Sequence, residues 1–132
     1  MVKYPAITGK ILAEGVDNLK LEMLPTHLKY DILTEVGDIL FKEQRYKDSA
    51  KAFAMANNKM KLIESGDYLF LQGRFVDSAK FFLFCEDRKR IERAGLRCIE
   101  ENEYQLAYDL FLKTGNFQML EFIKLNFMDR DF

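Results

Sequence analysis

Residues 59–87 read KMKLIESGDYLFLQGRFVDSAKFFLFCED, and the same pattern of residue types stands at 30–58 and again at 88–116. Four columns of equivalent positions keep one spacing through three copies: Gly37, Gly66 and Gly95; Tyr46, Phe75 and Tyr104; Phe53, Phe82 and Phe111; and Asn58, Asp87 and Asn116. A repeat of this size is typical of supersecondary units that stack on one another. The spacing therefore predicts a repeat protein.

Each copy is predicted to be a helical hairpin. In the middle copy Leu62, Gly66 and Leu69 recur at helical spacing, and a second apolar stripe runs through residues 75–85. Gly73 lies between the two halves, where a glycine past a helix end favours a tight turn. The pattern predicts a helix of about 14 residues, a short turn and a helix of about 12 residues.

Glycine and polar residues at fixed positions indicate how the hairpins fit together. A glycine inside a helix costs about 0.8–1 kcal/mol relative to alanine, so three glycines in one column indicate a shared steric demand. We expect the phenylalanine of the partner helix, as in Gly66 and Phe82, to need the space of the missing methyl group. The polar column of Asn58, Asp87 and Asn116 is predicted to cap the helix that follows each copy.

The order of residue types in each copy resembles the tetratricopeptide repeat. The matching residues run Val36, Gly37, Leu40, Tyr46, Ser49, Phe53 and Ala56, then Gly66, Leu69, Phe75, Ser78, Phe82 and Cys85, then Gly95, Cys98, Tyr104, Ala107, Phe111 and Thr114. The usual period of that family is about 34 residues, which is longer than the period found here. Shortened hairpins of this kind are also similar to the α-solenoid arms of clathrin- and coatomer-like proteins.

The predicted fold class is all-α, a right-handed α–α superhelix of three hairpins with an N-terminal cap and a C-terminal closing helix. The predicted organisation is an N-terminal capping segment or arm over 1–25, a tetratricopeptide-like domain over 26–127 with hairpins 26–58, 59–87 and 88–116 and a closing helix 117–127, and a tail over 128–132. Thr26 is the predicted N-cap of the first repeat helix. Segment 1–25 has three alternative roles: a cap, a segment lying in the groove, or a partner-binding arm.

The resemblance implies a non-catalytic scaffold or adaptor that binds another protein or peptide in a concave groove lined by the first helix of each hairpin. By the repeat phase the groove residues are Thr34, Asp38, Phe41, Ile63, Asp67, Phe70, Glu92, Leu96 and Ile99. This set mixes rings, aliphatic side chains and acids, so it suits an amphipathic helix or an extended segment with basic residues among apolar anchors.

The alternative is nucleic-acid or phosphate binding through one basic cluster. Its residues are Arg88, Lys89, Arg90, Arg93 and Arg97. Such charges can hold phosphates, but acidic residues stand beside them, and the formal net charge of −1 speaks against a general polyanion binder. An exposed face laced with ion pairs is the simpler interpretation, so nucleic acid is the weaker expectation.

Composition gives little support for an enzyme or a metal protein. One histidine, His27, and two cysteines leave no tight set of zinc ligands, and no cofactor is expected. Asp38 and Asp67 both follow the repeat glycine, so they are candidates for an acidic metal-binding pair, with groove carboxylates in solvent as the commoner case. Two cysteines and no long apolar run predict a cytoplasmic protein with no membrane span. A homo-oligomer through the terminal helices is left open.

Overall fold

A computed structural model describes residues 2–15 and 21–128, and within them the chain forms eight α-helices and no strand. The helices are α1 (Pro5–Glu14), α2 (Thr26–Lys42), α3 (Tyr46–Met55), α4 (Lys59–Leu71), α5 (Phe75–Phe82), α6 (Arg88–Glu100), α7 (Tyr104–Thr114) and α8 (Phe117–Phe127). A single 3₁₀ turn, Leu21–Met23, precedes α2. Helices that follow one another in sequence pack as pairs, so the all-α prediction is confirmed. The right-handed superhelix stays a prediction.

Contacts divide the chain into two compact units, Met1–Leu62 and Ile63–Phe132. The boundary lies inside α4, and therefore inside the second predicted hairpin. Repeat units make contacts mainly with their sequence neighbours, so a short array can divide into such clusters although its length is that of one domain.

In the first unit, α1 packs against α2 and contributes to its core. Ile11 and Leu21 are buried with α2 residues such as Leu33 and Val36. The Glu35 carboxylate of α2 accepts hydrogen bonds from the backbone N–H groups of Lys3 and Tyr4 and from Thr8 Oγ1. These contacts place α1 where a cap of the first hairpin would lie. Residues 16–20 of the predicted N-terminal segment lie outside the described residues.

Each repeat glycine faces the ring predicted to need its space. A Cβ atom on Gly37 or Gly66 would overlap the ring of Phe53 or Phe82, and a Cβ atom on Gly95 would lie 2.8 Å from the Phe111 ring. All three phenylalanines are buried. The steric explanation of the glycine column is therefore confirmed.

A buried hydroxyl adds a second contact inside two of the hairpins. Ser49 Oγ donates to the Gly37 carbonyl at 2.8 Å, and Ser78 Oγ donates to the Gly66 carbonyl at the same distance. The third copy has Ala107 at this position, so this hydroxyl is absent there.

The turns inside the hairpins form a column of left-handed residues. Gln44, Gly73 and Asn102 have φ values of 61°, 78° and 63°, and they occupy equivalent positions in the three copies. The turn at Gly73 is confirmed. Glycine adopts this conformation without steric cost, whereas Gln44 adopts it at a cost.

The polar column caps the following helices as predicted. Asn58, Asp87 and Asn116 each accept a hydrogen bond from the backbone N–H group three residues later, at 3.1 Å, 3.1 Å and 3.2 Å. The prediction for Thr26 is wrong, because α2 begins at Thr26 with Pro25 as its N-cap and no side-chain capping bond. Proline at that point fixes the extended entry of the chain without a hydroxyl.

At the other end α8 packs against α7 over the predicted range. Leu120 and Ile123 are buried, while Phe117 and Leu125 remain exposed. No helix among the described residues is long and apolar enough to span a bilayer.

Candidate functional site

In the second unit, one acid of the predicted groove is held by a bidentate ion pair. Arg90 Nε donates to Asp67 Oδ1 and Arg90 Nη2 donates to Asp67 Oδ2, both at 2.8 Å. Arg90 Nη1 also donates to Asp87 Oδ2 at 2.6 Å. The hydrogen bonds that Arg90 donates to Asp67, and then to Asp87, raise the pKa of its guanidinium. The paired oxygens and the planar guanidinium fix the relative positions of α4 and α6.

The acid of the first unit also has a cation partner. Lys61 Nζ lies 3.0 Å from Asp38 Oδ1, so Asp38 and Asp67 are both ion-paired. Lys61 and Arg90 both stand three residues after a capping residue, Asn58 or Asp87. Each acid therefore already has a cation partner within the protein, so neither is an unpaired charge available to a basic ligand.

Glu92 joins three helices of the second unit. Its Oε2 atom accepts from Thr114 Oγ1 at 2.9 Å and from Asn116 Nδ2 at 3.0 Å. Arg88 Nη1 donates to the same oxygen at 3.3 Å, and Arg88 Nη2 donates to the Thr114 carbonyl. Glu92 therefore orients the start of α8 through its capping residue. Thr34 of the first unit accepts from Asn58 Nδ2 at 3.2 Å, which is the equivalent contact.

Rings in the predicted groove lie against other side chains of the hairpins. The Phe70 and Phe75 rings meet edge to face, with centroids 4.8 Å apart. Arg93 lies over Phe70 with its Cζ atom 4.4 Å from the ring centroid, and Arg97 lies over Phe75 at 4.8 Å. Phe41 of the first unit makes an edge contact with Tyr46 at 5.3 Å.

The open part of the groove set in the second unit is aliphatic. Leu96 on α6 is 50% exposed. Ile63 on α4 and Ile99 on α6 are partly exposed. Phe41 and Phe70 are partly exposed as well, so Leu96 is the one residue of the nine in the predicted groove that is more than partly exposed.

The predicted basic cluster is largely used within the protein. Arg88 pairs with Glu92, Arg90 with Asp67 and Asp87, and Arg97 with Glu100 at 3.1 Å. Arg93 covers the Phe70 ring, and Lys89 is exposed. Paired arginines have less attraction for phosphate, so the geometry supports the ion-paired interpretation of this face.

Metal-ligating side chains and cysteines are the remaining candidates for chemistry. Among the described residues no three His, Cys, Asp or Glu side chains lie close enough together to hold a metal ion. Burial raises the pKa of Cys85 to about 11 and that of Cys98 to about 12. Thiols with such pKa values stay protonated and unreactive at neutral pH.

Sequence reasoning placed the acids but missed their cation partners. The signal was available, because Lys61 and Arg90 share one column and follow the capping column by three residues. The residue that follows Lys61 and Arg90 in the cation column is Met119. The residue that follows Asp38 and Asp67 in the acid column is Leu96. Both columns change from charged to apolar together.

Comparison with known proteins identifies no relative of this chain. Neither protein-family models nor curated proteins nor solved structures give a match to the chain.

Proposed function

We propose that this protein is a non-catalytic interaction module, an adaptor or assembly scaffold that binds a helix or an extended peptide on the first helices of its hairpins. The proposal includes the tetratricopeptide-like right-handed stack that the repeated columns predict. It also includes a cytoplasmic location, which suits two cysteines that are both buried and unpaired.

The observation that carries the proposal is the open aliphatic surface of α6. Leu96 stands on α6, the first helix of the third hairpin, and it is half exposed. Burial of apolar area is the main source of affinity in peptide recognition, and a leucine of this exposure offers such area.

The paired acids make this surface rigid before any ligand arrives. Arg90 bridges Asp67 of α4 and Asp87 at the start of α6, so the two helices need not rearrange during binding. A preorganised surface loses less conformational entropy when it binds. The ligand we expect has aliphatic anchors at helical spacing, with no need for a row of basic residues.

The test compares two leucines of nearly equal exposure. Leu96 on α6 is 50% exposed and Leu112 on α7 is 52% exposed, so Leu96→Glu and Leu112→Glu carry the same chemical change on a first and a second helix. Tagged protein and both variants are used for affinity capture from cell lysate, followed by quantitative mass spectrometry. Thermal unfolding of each variant checks that the fold is intact.

We expect Leu96→Glu to lose a specific partner that Leu112→Glu retains. A partner that both variants retain would remove the first-helix surface from the proposal. A partner lost equally from both would show that the effect is not specific to this surface, and would count against it as well.

A further inference from the structure

A second exposed surface lies at the far end of the second unit and consists of three aromatic rings. Phe127 stacks on Tyr104, with centroids 4.4 Å apart and an interplanar angle of 4°. Phe122 meets Phe127 edge to face at 5.6 Å. Phe122 is 45% exposed and Phe127 is 38% exposed. We call Tyr104, Phe122 and Phe127 the aromatic patch.

The repeat itself shows how this chain covers such rings. Phe75 and Tyr104 are equivalent residues, each at the first position of a second helix. An arginine, Arg97, covers Phe75. The position equivalent to Arg97 in the next copy holds Asn126, which has no guanidinium, and the neighbouring Phe127 lies on Tyr104 instead. Tyr104 occupies one face of Phe127 and Phe122 meets the ring edge to face, so Phe127 exposes the part of the ring that these two contacts leave uncovered.

An acidic turn adjoins the aromatic patch, because the Tyr104 hydroxyl donates to Asn102 Oδ1 of that turn at 2.7 Å, and we call this turn the acidic border. The turn before Tyr104 has the sequence Glu100, Glu101, Asn102, Glu103. Glu100 pairs with Arg97, while Glu101 and Glu103 are exposed and form no ion pair within the described residues. Glu103 stands at the N-cap of α7, yet its side chain makes no capping hydrogen bond. Its carboxylate is therefore available to a cation.

We propose that the aromatic patch and its acidic border bind an arginine side chain of a partner polypeptide, with the guanidinium on the exposed surface of the Phe122 and Phe127 rings and its N–H groups directed to Glu101 and Glu103. Exposed rings attract a planar cation through their negative faces, and carboxylates complement its charge. Arg93 on Phe70 and Arg97 on Phe75 are two examples of the first contact within the same unit. This site shares no residue with the Leu96 surface, and the proposal does not depend on that surface.

The experiment is an NMR titration of the full chain with a blocked pentapeptide, Gly-Ser-Arg-Ser-Gly, and with the same peptide carrying citrulline or lysine in place of arginine. A single contact of this kind is expected to bind with a dissociation constant of about 1 mM or weaker. We expect the arginine peptide to shift the ring signals of Phe122, Phe127 and Tyr104. The lysine peptide should bind more weakly, and the citrulline peptide should give no saturable shift.

Two matched variants test the residues. Phe122→Leu keeps an apolar side chain and removes a ring, and Phe84→Leu makes the same change at a phenylalanine that is 43% exposed elsewhere in the unit. We expect Phe122→Leu to weaken binding about threefold, as the loss of one exposed cation–π contact would, and Phe84→Leu to leave it unchanged. The double variant Glu101→Gln, Glu103→Gln should weaken binding further and reduce its salt dependence.

Three results would overturn the proposal: equal binding of the citrulline peptide, shifts that map away from the aromatic patch, or equal losses in Phe122→Leu and Phe84→Leu. The Leu96→Glu variant should bind the arginine peptide like the unaltered protein, so the two proposals fail separately.

Discussion

The first hairpin, α2 with α3, and the third, α6 with α7, reach the same geometry with different chemistry. Both place a phenylalanine ring against a helical glycine, Phe53 on Gly37 and Phe111 on Gly95. Only the first adds a buried hydroxyl, because Ser49 of that hairpin corresponds to Ala107 of the third. The ring contact is present in each copy, whereas the hydroxyl is not. The steric fit between the phenylalanine ring and the helical glycine is therefore the feature that defines the hairpin.

The largest expected effect tests this fit directly. We expect Gly37→Ala to destabilise the protein by about 2 kcal/mol, because the new methyl group overlaps the buried Phe53 ring. Gly95→Ala should cost less, since its Cβ atom would meet the Phe111 ring at 2.8 Å, a shallower overlap than at Gly37. Urea denaturation followed by circular dichroism measures both.

Gly9→Ala is the matched control for these two changes. Gly9 is also helical, and a Cβ atom there would meet nothing within 4 Å. We expect Gly9→Ala to raise the free energy of unfolding by about 0.5–1 kcal/mol, because alanine has a higher helix propensity than glycine. A loss in Gly9→Ala equal to that in Gly37→Ala would contradict the steric explanation.

The next effect concerns the hydroxyl that distinguishes the two hairpins. Ser49→Ala should cost about 1 kcal/mol, the usual net value of one intramolecular hydrogen bond. Ala107→Ser should stabilise the third hairpin by about 0.5 kcal/mol, because its hydroxyl can donate to the Gly95 carbonyl. Thermal unfolding of the two single variants tests this prediction. The melting temperature should fall in Ser49→Ala and rise in Ala107→Ser.

A smaller effect depends on pH and concerns the two capping residues Asn58 and Asp87. Hydrogen bonds from the Arg90 backbone and side chain hold the pKa of Asp87 below its usual 3.8. Its contribution to stability is therefore present above pH 3.8 and is lost as the pH falls through the lower, folded-state value. Asp87→Asn should reduce neutral-pH stability by less than about 1 kcal/mol and flatten the acid limb of a stability-against-pH curve.

The matched change for this prediction is Asn58→Asp, which puts a carboxylate at the equivalent cap. It should add an acid-sensitive contribution of the same sign. An acid limb unchanged in both variants would show that neither cap titrates with folding.

The smallest effect compares the turns of the two hairpins. Gln44 and Asn102 both have left-handed backbone angles, and asparagine tolerates this conformation better than glutamine. We expect Gln44→Gly to stabilise the protein by about 0.5 kcal/mol and Asn102→Gly to change it by less. A calorimetric melting temperature that falls in Gln44→Gly would show that its side chain makes a contact worth more than the relief of strain.

Much of the local structure follows from the printed sequence. The three hairpins, the Gly73 turn, the glycine–phenylalanine contacts and the capping residues all come from columns of equivalent residues. The turns at Gln44 and Asn102 are harder to predict, because neither residue by itself signals a left-handed backbone. The Thr26 prediction is wrong because Pro25 already fixes the entry to α2.

The candidate site was predictable only in part. The nine residues of the predicted groove lie on α2, α4 and α6, because helical spacing fixes which positions share a face, and their role as a groove stays a prediction. Their availability was not predictable, because Asp67 finds its partner Arg90 on another helix and Phe70 is covered by Arg93. Such pairings depend on rotamers and on helix separation, which no local pattern encodes.

The sequence by itself determined the helices, the Gly73 turn and the contacts inside each hairpin, because those contacts link residues at fixed offsets within one copy of the repeat. Only the tertiary structure decided which charges are satisfied and which surfaces remain open. Leu96 and the Phe127 ring are exposed because side chains of the described residues cover them only in part, and that outcome depends on where whole helices lie.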